Sequence, residues 1–189
     1  MAKFYVVWAG RKPGIYDSWA KCEAQVKGCN GARYKSFASR AMAEKAFAGE
    51  SLIPPEVLNA YAVDAACSGS PGPVEYRCVQ VQTKKEIFRQ GPFAEGTNNV
   101  GEFLAVVHAL SLFKQTKIAA PIYTDSRTAI SWIKAKRCKT ELIRTPRNAT
   151  LFDLIERAEQ WLAENDFANP IKKWETDAWG EIPADFGRK

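Results

Sequence analysis

The chain of 189 residues has one histidine, His108, and no Gly-x-x-x-x-Gly-Lys-Ser/Thr run, so an ATPase built on a phosphate-binding loop is excluded. Its five cysteines (Cys22, Cys29, Cys67, Cys78, Cys138) are odd in number, scattered and without a Cys-x-x-Cys pair. They form no zinc framework and cannot all pair as disulfides. Reduced thiols in a cytoplasmic protein are the expectation. No apolar run approaches the roughly 18 residues of a membrane span. The opening strand-like run Phe4–Trp8 and the basic turn after it do not read as a signal peptide. Internal repeats and low-complexity tracts are also missing. His108 sits among Val106, Val107, Ala109 and Leu110, which predicts a packed or partly exposed helix residue.

The net charge of +6 is unevenly spread: residues 1–58 carry 9 Lys/Arg against 5 Asp/Glu, and residues 59–189 carry 18 against 16. A small basic module rich in aromatics suits a phosphate backbone. Within it, a strand at Phe4–Trp8 leads to a Gly/Pro turn over Gly10–Gly14. A helix capped by Asp17 or Ser18 runs to about Lys27, with Gly28 as its stop. A strand at Arg33–Phe37 and a helix capped by Ser39 over Arg40–Phe47 complete the unit. Residues 48–58, with Pro54-Pro55, form a short semi-rigid linker.

From residue 59 the pattern changes. Strands are predicted at Ala60–Ala65, Glu75–Thr83, Lys85–Gln90, Ala120–Thr124 and Ile171–Glu175. Helices are predicted from Thr97 or Asn98 to Lys114, from Ser126 to Lys136, and over Ala149–Asn165. In the first, Phe103, Val106, Val107, Leu110 and Phe113 mark one buried face. The loop after the last strand is read as irregular, with a helical turn near Pro183–Gly187. Three early strands followed by alternating helices and strands predict an α/β fold, a mixed five-stranded sheet flanked by helices.

Four carboxylates stand where ionised groups are costly. Asp64 lies inside the apolar run Tyr61–Ala65, and Asp125 ends Ile122-Tyr123-Thr124. Glu102 precedes an apolar helical stretch, and Asp185 follows Ile182-Pro183-Ala184. Each alone is compatible with a cap, an edge charge or a salt bridge. Converging from neighbouring elements, they make an oxygen-ligand site for Mg²⁺.

The order of Asp64 with a Gly/Pro loop after it, Thr97-Asn98-Asn99 ahead of Glu102, Tyr123-Thr124-Asp125-Ser126, and Asp185 resembles type 1 ribonuclease H over residues 59–189. The ending Trp179-Gly180-Glu181-x-Pro183-Ala184-Asp185-Phe186-Gly187-Arg188-Lys189 resembles the bacterial branch that carries an N-terminal hybrid-binding module. The resemblance implies a ribonuclease H-like fold. It further implies an endonuclease that cuts the RNA strand of RNA–DNA hybrids with two Mg²⁺ ions, Mn²⁺ substituting, and leaves 5′-phosphate and 3′-hydroxyl ends. Asp64, Glu102, Asp125 and Asp185 would hold the ions, and Glu102 would also touch the ribose 2′-hydroxyl. Cys67, Ser70, Thr97, Asn98, Asn99 and Trp132 would line the substrate groove. Two departures stand out. The loop Glu175–Glu181 before Asp185 lacks the histidine of many relatives, leaving Asp177 or Glu181 as the candidates to assist metal exchange. The basic stretch Lys134–Lys139 with Arg144 and Arg147 replaces a tryptophan-rich protrusion.

Residues 1–47 resemble the hybrid-binding domain of the caulimovirus viroplasmin type. The resemblance places Trp19, Tyr34 and Lys35 on the DNA backbone and Gly10, Arg11 and Lys12 on the RNA, with Ser36 where a second lysine is usual. A monomer with no obligate protein partner is expected. Readings of a different kind are a binding protein that has lost catalysis, and a transposase-like nuclease of the same superfamily acting on DNA.

Overall fold

The computed structural model describes residues 3–187, so Arg188 and Lys189 of the C-terminal motif lie outside the described residues. Contacts divide the chain into two compact units: the N-terminal stretch to Pro54 with Glu175–Gly180, and Pro55–Trp174 with the stretch from Glu181 onward.

In the first unit, β1 (Phe4–Ala9) is the central strand, antiparallel to both β2 (Gly14–Tyr16) and β3 (Arg33–Phe37). Side chains alternate across a strand, and here that alternation splits a small core in two. Val6 packs with Phe37 and Ala43 of α2 (Arg40–Phe47), while Val7 packs with Cys22 and Val26 of α1 (Trp19–Val26). Ser18 and Ser39 cap these helices, accepting hydrogen bonds from the backbone N–H groups of Lys21 and Met42. The structure selects Ser18 over Asp17. It also adds β2 where a plain turn was expected, because Gly14–Tyr16 finds a partner strand in β1 that local sequence does not reveal.

The second unit begins within the expected linker. Pro55 opens a helical turn, α3 (Pro55–Leu58), whose Val57 is buried; proline suits a first helical position because its missing N–H has no partner there anyway. A five-stranded mixed sheet follows, in the order β6-β5-β4-β7-β8. Its strands are β4 (Tyr61–Cys67), β5 (Gly72–Gln80), β6 (Glu86–Gly96), β7 (Ile122–Thr124) and β8 (Ile171–Lys173). β4 runs antiparallel to β5 and parallel to β7. Helices α4 (Asn98–Thr116), α5 (Arg127–Lys134) and α6 (Ala149–Glu164) complete it. Among the described residues, no helix is long and apolar enough to cross a membrane.

Three local expectations are corrected. β6 continues to Gly96, past Gly91-Pro92, because β5 keeps pairing with it through register shifts. α4 is buried nearly all round: besides the expected stripe, Val100, Gly101, Leu104, Ala105 and Ala109 are covered. It is wedged between β4, β5, α5 and α6 rather than lying on a surface. A four-residue helix, α7 (Thr176–Trp179), occupies the loop read as irregular, whereas Pro183–Ala184 is only a turn. The carbonyls of Ala184 and Asp185 accept from Arg77 instead of from a following helical turn.

Gly101 sets the closeness of α4 to the sheet. A Cβ there would stand 2.7 Å from both the Ala65 Cβ and a Val74 methyl. Gly101→Val is therefore expected to overpack the contact and destabilise the protein by about 1–3 kcal/mol, read as a lower urea midpoint. Unchanged stability would mean that the helix can move off the strand freely.

Candidate metal centre and nucleic-acid interface

Sheet register brings the first two carboxylates together. Tyr61 pairs with Ile122 and Ala62 with Tyr123 in the parallel β4–β7 ladder. Two residues further along, Asp64 and Asp125 therefore stand side by side, Asp64 within β4 and Asp125 at the bend before α5. Glu102 enters from the first turns of α4, one residue beyond the glycine that lets this helix close on β4. Oxygens of Asp64, Glu102 and Asp125 lie within 4.8 Å of one another. Asp185 lines the same cleft of about 280 Å³, together with Cys67, Ser68, Asn98 and Phe186. All four predicted carboxylates thus line one cleft, Asp64, Glu102 and Asp125 as a close cluster and Asp185 on its wall.

The electrostatics are strained. Burial, followed by the charge of Asp125, pushes the Asp64 carboxyl up to about 8. Burial raises Glu102 to about 7, against hydrogen bonds from Ser126 and Asn98 that hold it down. The Asn98 Nδ2 donates to Glu102 Oε1 at 2.9 Å. Asp125 is also raised, chiefly by burial, with Lys173 on neighbouring β8 opposing the shift. Two unit charges about 5 Å apart repel by roughly 3 kcal/mol at an effective dielectric near 20. A divalent cation reverses that repulsion, and an all-carboxylate donor set suits a hard cation such as Mg²⁺ or Mn²⁺. The residues present fit such an ion.

The predicted groove residues divide. Cys67 and Asn98 border the carboxylate cleft. Ser70, Thr97, Asn99 and Trp132 line a second cleft of about 490 Å³ with Lys139, Thr140, Glu141 and Leu142. Thr97 caps α4 by accepting from the Val100 N–H. Trp132 is mostly core: it is 8% exposed and meets Phe103 edge-on at 6.1 Å, so only an edge can face a ligand. The basic stretch after α5 is tied down in part, with Arg144 paired to Asp153 and Glu156 and Arg147 to Glu95. Lys139 is its member in the second cleft. His108 stacks on Phe88 at 3.9 Å, and burial lowers its pKa, as a packed helix residue requires.

In the N-terminal unit Trp19 and Tyr34 are 43% and 46% exposed, with ring centroids 5.6 Å apart. Trp19 is therefore not core, whereas Phe37 is. Lys35 is exposed next to Tyr34 on β3. Gly10 has a structural cause: a Cβ there would stand 2.6 Å from the Gln25 carbonyl oxygen. Arg11 serves that junction too, its guanidinium donating to the Ala24 carbonyl at 2.8 Å. Lys12 is exposed.

Sequence reading missed Ser126 as a partner of Glu102, Lys173 as the cation near Glu102 and Asp125, and Thr140–Leu142 as a cleft wall. The Ser126 signal was present, since it follows Asp125 directly, but the helix cap accounted for it. For Thr140–Leu142 no local signal exists.

A family model described as RNase H matches residues 56–174, and one described as the Ribonuclease H1 N-terminal domain matches residues 3–47. Asp185 lies beyond the matched range. A ribonuclease H of Brucella ovis is 36% identical over 110 residues, covering 54% of this chain and 70% of the relative. A ribonuclease H of Crithidia fasciculata is 62% identical over 34 residues, 18% of this chain and 7% of the relative. The solved ribonuclease H1 of Halobacterium salinarum shares 20% identity over 63% of this chain and 88% of its own, with a TM-score of 0.39.

The raised carboxyls have a consequence without metal. A carboxyl that binds its proton more tightly folded than unfolded favours the fold at low pH. That gain is complete below the unfolded value near 4 and is lost as pH rises towards the folded values, about 7 for Glu102 and about 8 for Asp64. With chelator present, stability against urea is expected to fall between pH 5 and pH 8, and Asp64→Asn to flatten the decline. A profile that rises over this range contradicts the assignment.

Proposed function

The chain belongs to the ribonuclease H family of enzymes, and from that premise we propose that it hydrolyses the RNA strand of RNA–DNA hybrids endonucleolytically. The products are 5′-phosphate and 3′-hydroxyl ends. The observation that carries this reading is the cluster of Asp64, Glu102 and Asp125, with oxygens within 4.8 Å at the base of an open cleft. Asp64, Glu102, Asp125 and Asp185 would hold two divalent ions, Mg²⁺ or Mn²⁺, which when bound would supply water activation and neutralisation of charge on the leaving 3′-oxygen.

The protein's own groups supply positioning. Asn98 and Ser126 fix the Glu102 carboxylate by hydrogen bonds, and the free edge of that carboxylate meets the ribose 2′-hydroxyl that distinguishes RNA from DNA. Ser70, Thr97, Asn99, the edge of Trp132 and Lys139 border the neighbouring cleft, which takes the DNA strand; Thr97 holds a phosphate. Asn98, Asn99 and Cys67 face the minor groove.

Residues 1–47 form the hybrid-binding domain, joined through a linker that ends at Pro54 to a catalytic domain that begins with α3 at Pro55. The exposed rings of Trp19 and Tyr34 beside Lys35 give stacking surface and charge with no base-edge code, which suits shape-based binding. Gly10, Arg11 and Lys12 form the turn offered to the RNA strand, with Arg11 partly committed to the Ala24 carbonyl. The protein works as a monomer in the cytoplasm.

Cleavage of labelled RNA–DNA hybrid in Mg²⁺, beside single-stranded RNA, RNA duplex and DNA duplex, tests this directly. Hybrid RNA alone should be cut, and Asp125→Asn should abolish the cutting. Salt-sensitive hybrid binding without cleavage in either Mg²⁺ or Mn²⁺ would instead indicate a protein that only grips its target.

Hybrid binding also separates the N-terminal roles. Lys35→Ala is expected to reduce the slope of log affinity against log salt by about 1. Trp19→Ala should weaken binding at every salt concentration with the slope unchanged. Equal slopes in Lys35→Ala and the parent would remove Lys35 from the phosphate contact.

A further inference from the structure

Asp185 is the carboxylate of the four that the regular elements hold least. Asp64 is in β4, Glu102 in α4, and Asp125 is pinned between β7 and α5, but Asp185 lies in irregular backbone after the Pro183–Ala184 turn. Buried Ile182 and Ala184 anchor the approach to it, and the Gly187 N–H donates to its Oδ2 at 2.9 Å.

The side chain of Arg77 ties this segment to the sheet that carries Asp64. Arg77 stands directly across from Asp64 in the β4–β5 ladder. Its Nε donates to the Ala184 carbonyl at 2.8 Å and its Nη2 to the carbonyl of Asp185 itself at 2.5 Å. Its third nitrogen, Nη1, pairs with Glu86 at 3.2 Å. The Phe186 ring lies 4.7 Å from the Arg77 guanidinium and 5.1 Å from that of Arg89. Glu86 also pairs with Arg89, so both cations are fixed from behind.

We propose that Arg77 is a positioning residue, whose guanidinium fork on the backbone of Ala184 and Asp185, closed by the Phe186 ring, sets the Asp185 carboxylate at the distance from Asp64 that ion binding needs. The inference rests on the reading of Asp185 as an ion-holding group. A planar fork with several fixed donors can grip two carbonyls and stack on a ring at once, whereas a lysine is a point charge that cannot do both.

Amide hydrogen exchange of the metal-free protein reads the clamp without reference to activity. The Asp185 N–H donates to the Ile182 carbonyl and the Gly187 N–H to Asp185, so both amides report on the segment. Arg77→Met is expected to speed their exchange by about tenfold or more. The Mg²⁺ concentration for half-maximal hybrid cleavage should rise by about 10- to 100-fold, with KM for hybrid unchanged. Arg77→Lys should recover only part of either effect; full recovery would show that charge alone suffices and overturn the proposal. Should Arg77→Met fail to fold, Phe186→Leu keeps the fork but removes the ring, and should produce a smaller shift in the same two amides. Unchanged exchange in whichever variant folds overturns the clamp. Calorimetric Mn²⁺ binding to Asp185→Asn separates the underlying assumption: unchanged binding there removes Asp185 from the ion site, whatever Arg77 does.

Discussion

Carboxylates crowded into a cleft that withholds most of their solvation are the constraint around which the second unit is organised. Asp64 and Glu102 are each 7% exposed, and their proton affinities are raised by burial before any neighbour is counted. Such a group is tolerated only with protons, hydrogen bonds or a cation. The structure supplies the second in small measure, through Asn98 and Ser126, and leaves the cleft open to the third. A site built only for stability would have used apolar residues at these positions.

Holding repelling groups together needs a stiff frame, and several features serve that need. The parallel β4–β7 register sets Asp64 beside Asp125 without any loop to adjust. A helix covered on almost every side carries Glu102, and Gly101 removes the one Cβ that would hold it away from the sheet. Thr97 and Ser126 cap the helices that begin next to the cleft, so the same short segments end a strand, start a helix and present a carboxylate. Catalytic groups need placement within a fraction of an ångström, and strands and capped helices give it more securely than loops do.

Legibility in the sequence followed the range of the forces. Caps, strands and the four carboxylates were readable because each leaves a local mark: a serine before a helix, an acid inside an apolar strand. The resemblance to known motifs then joined those marks into one site. What could not be read depends on partners distant along the chain. β2 exists because β1 accepts it, and β6 passes Gly91-Pro92 because β5 keeps pairing with it. The burial of α4 on all sides reflects four neighbours rather than its own periodicity. Arg77 looks like an ordinary strand residue in sequence, and its contacts lie more than a hundred positions away. The exposure of Trp19 leaves no local mark either, since an aromatic serves a small core as readily as a ligand surface.

The proposed activity asks opposite things of the chain's charges. A phosphodiester backbone is drawn to the basic N-terminal third, where 9 Lys/Arg face 5 Asp/Glu over residues 1–58. It is repelled by a cleft that gathers four carboxylates. Lys173 on β8 offsets only part of this negative charge. Divalent ions would resolve the conflict, since they bind the carboxylates and attract the phosphate together. Ion binding and substrate engagement at the catalytic unit should then each favour the other, while the grip proposed for the N-terminal unit would need no ion. On the proposed reading, such a chain would remain on a hybrid while its catalytic cleft is between ion-loaded states, and that would be the physical use of joining a basic aromatic module to a nuclease whose cleft, though not the domain around it, is acidic.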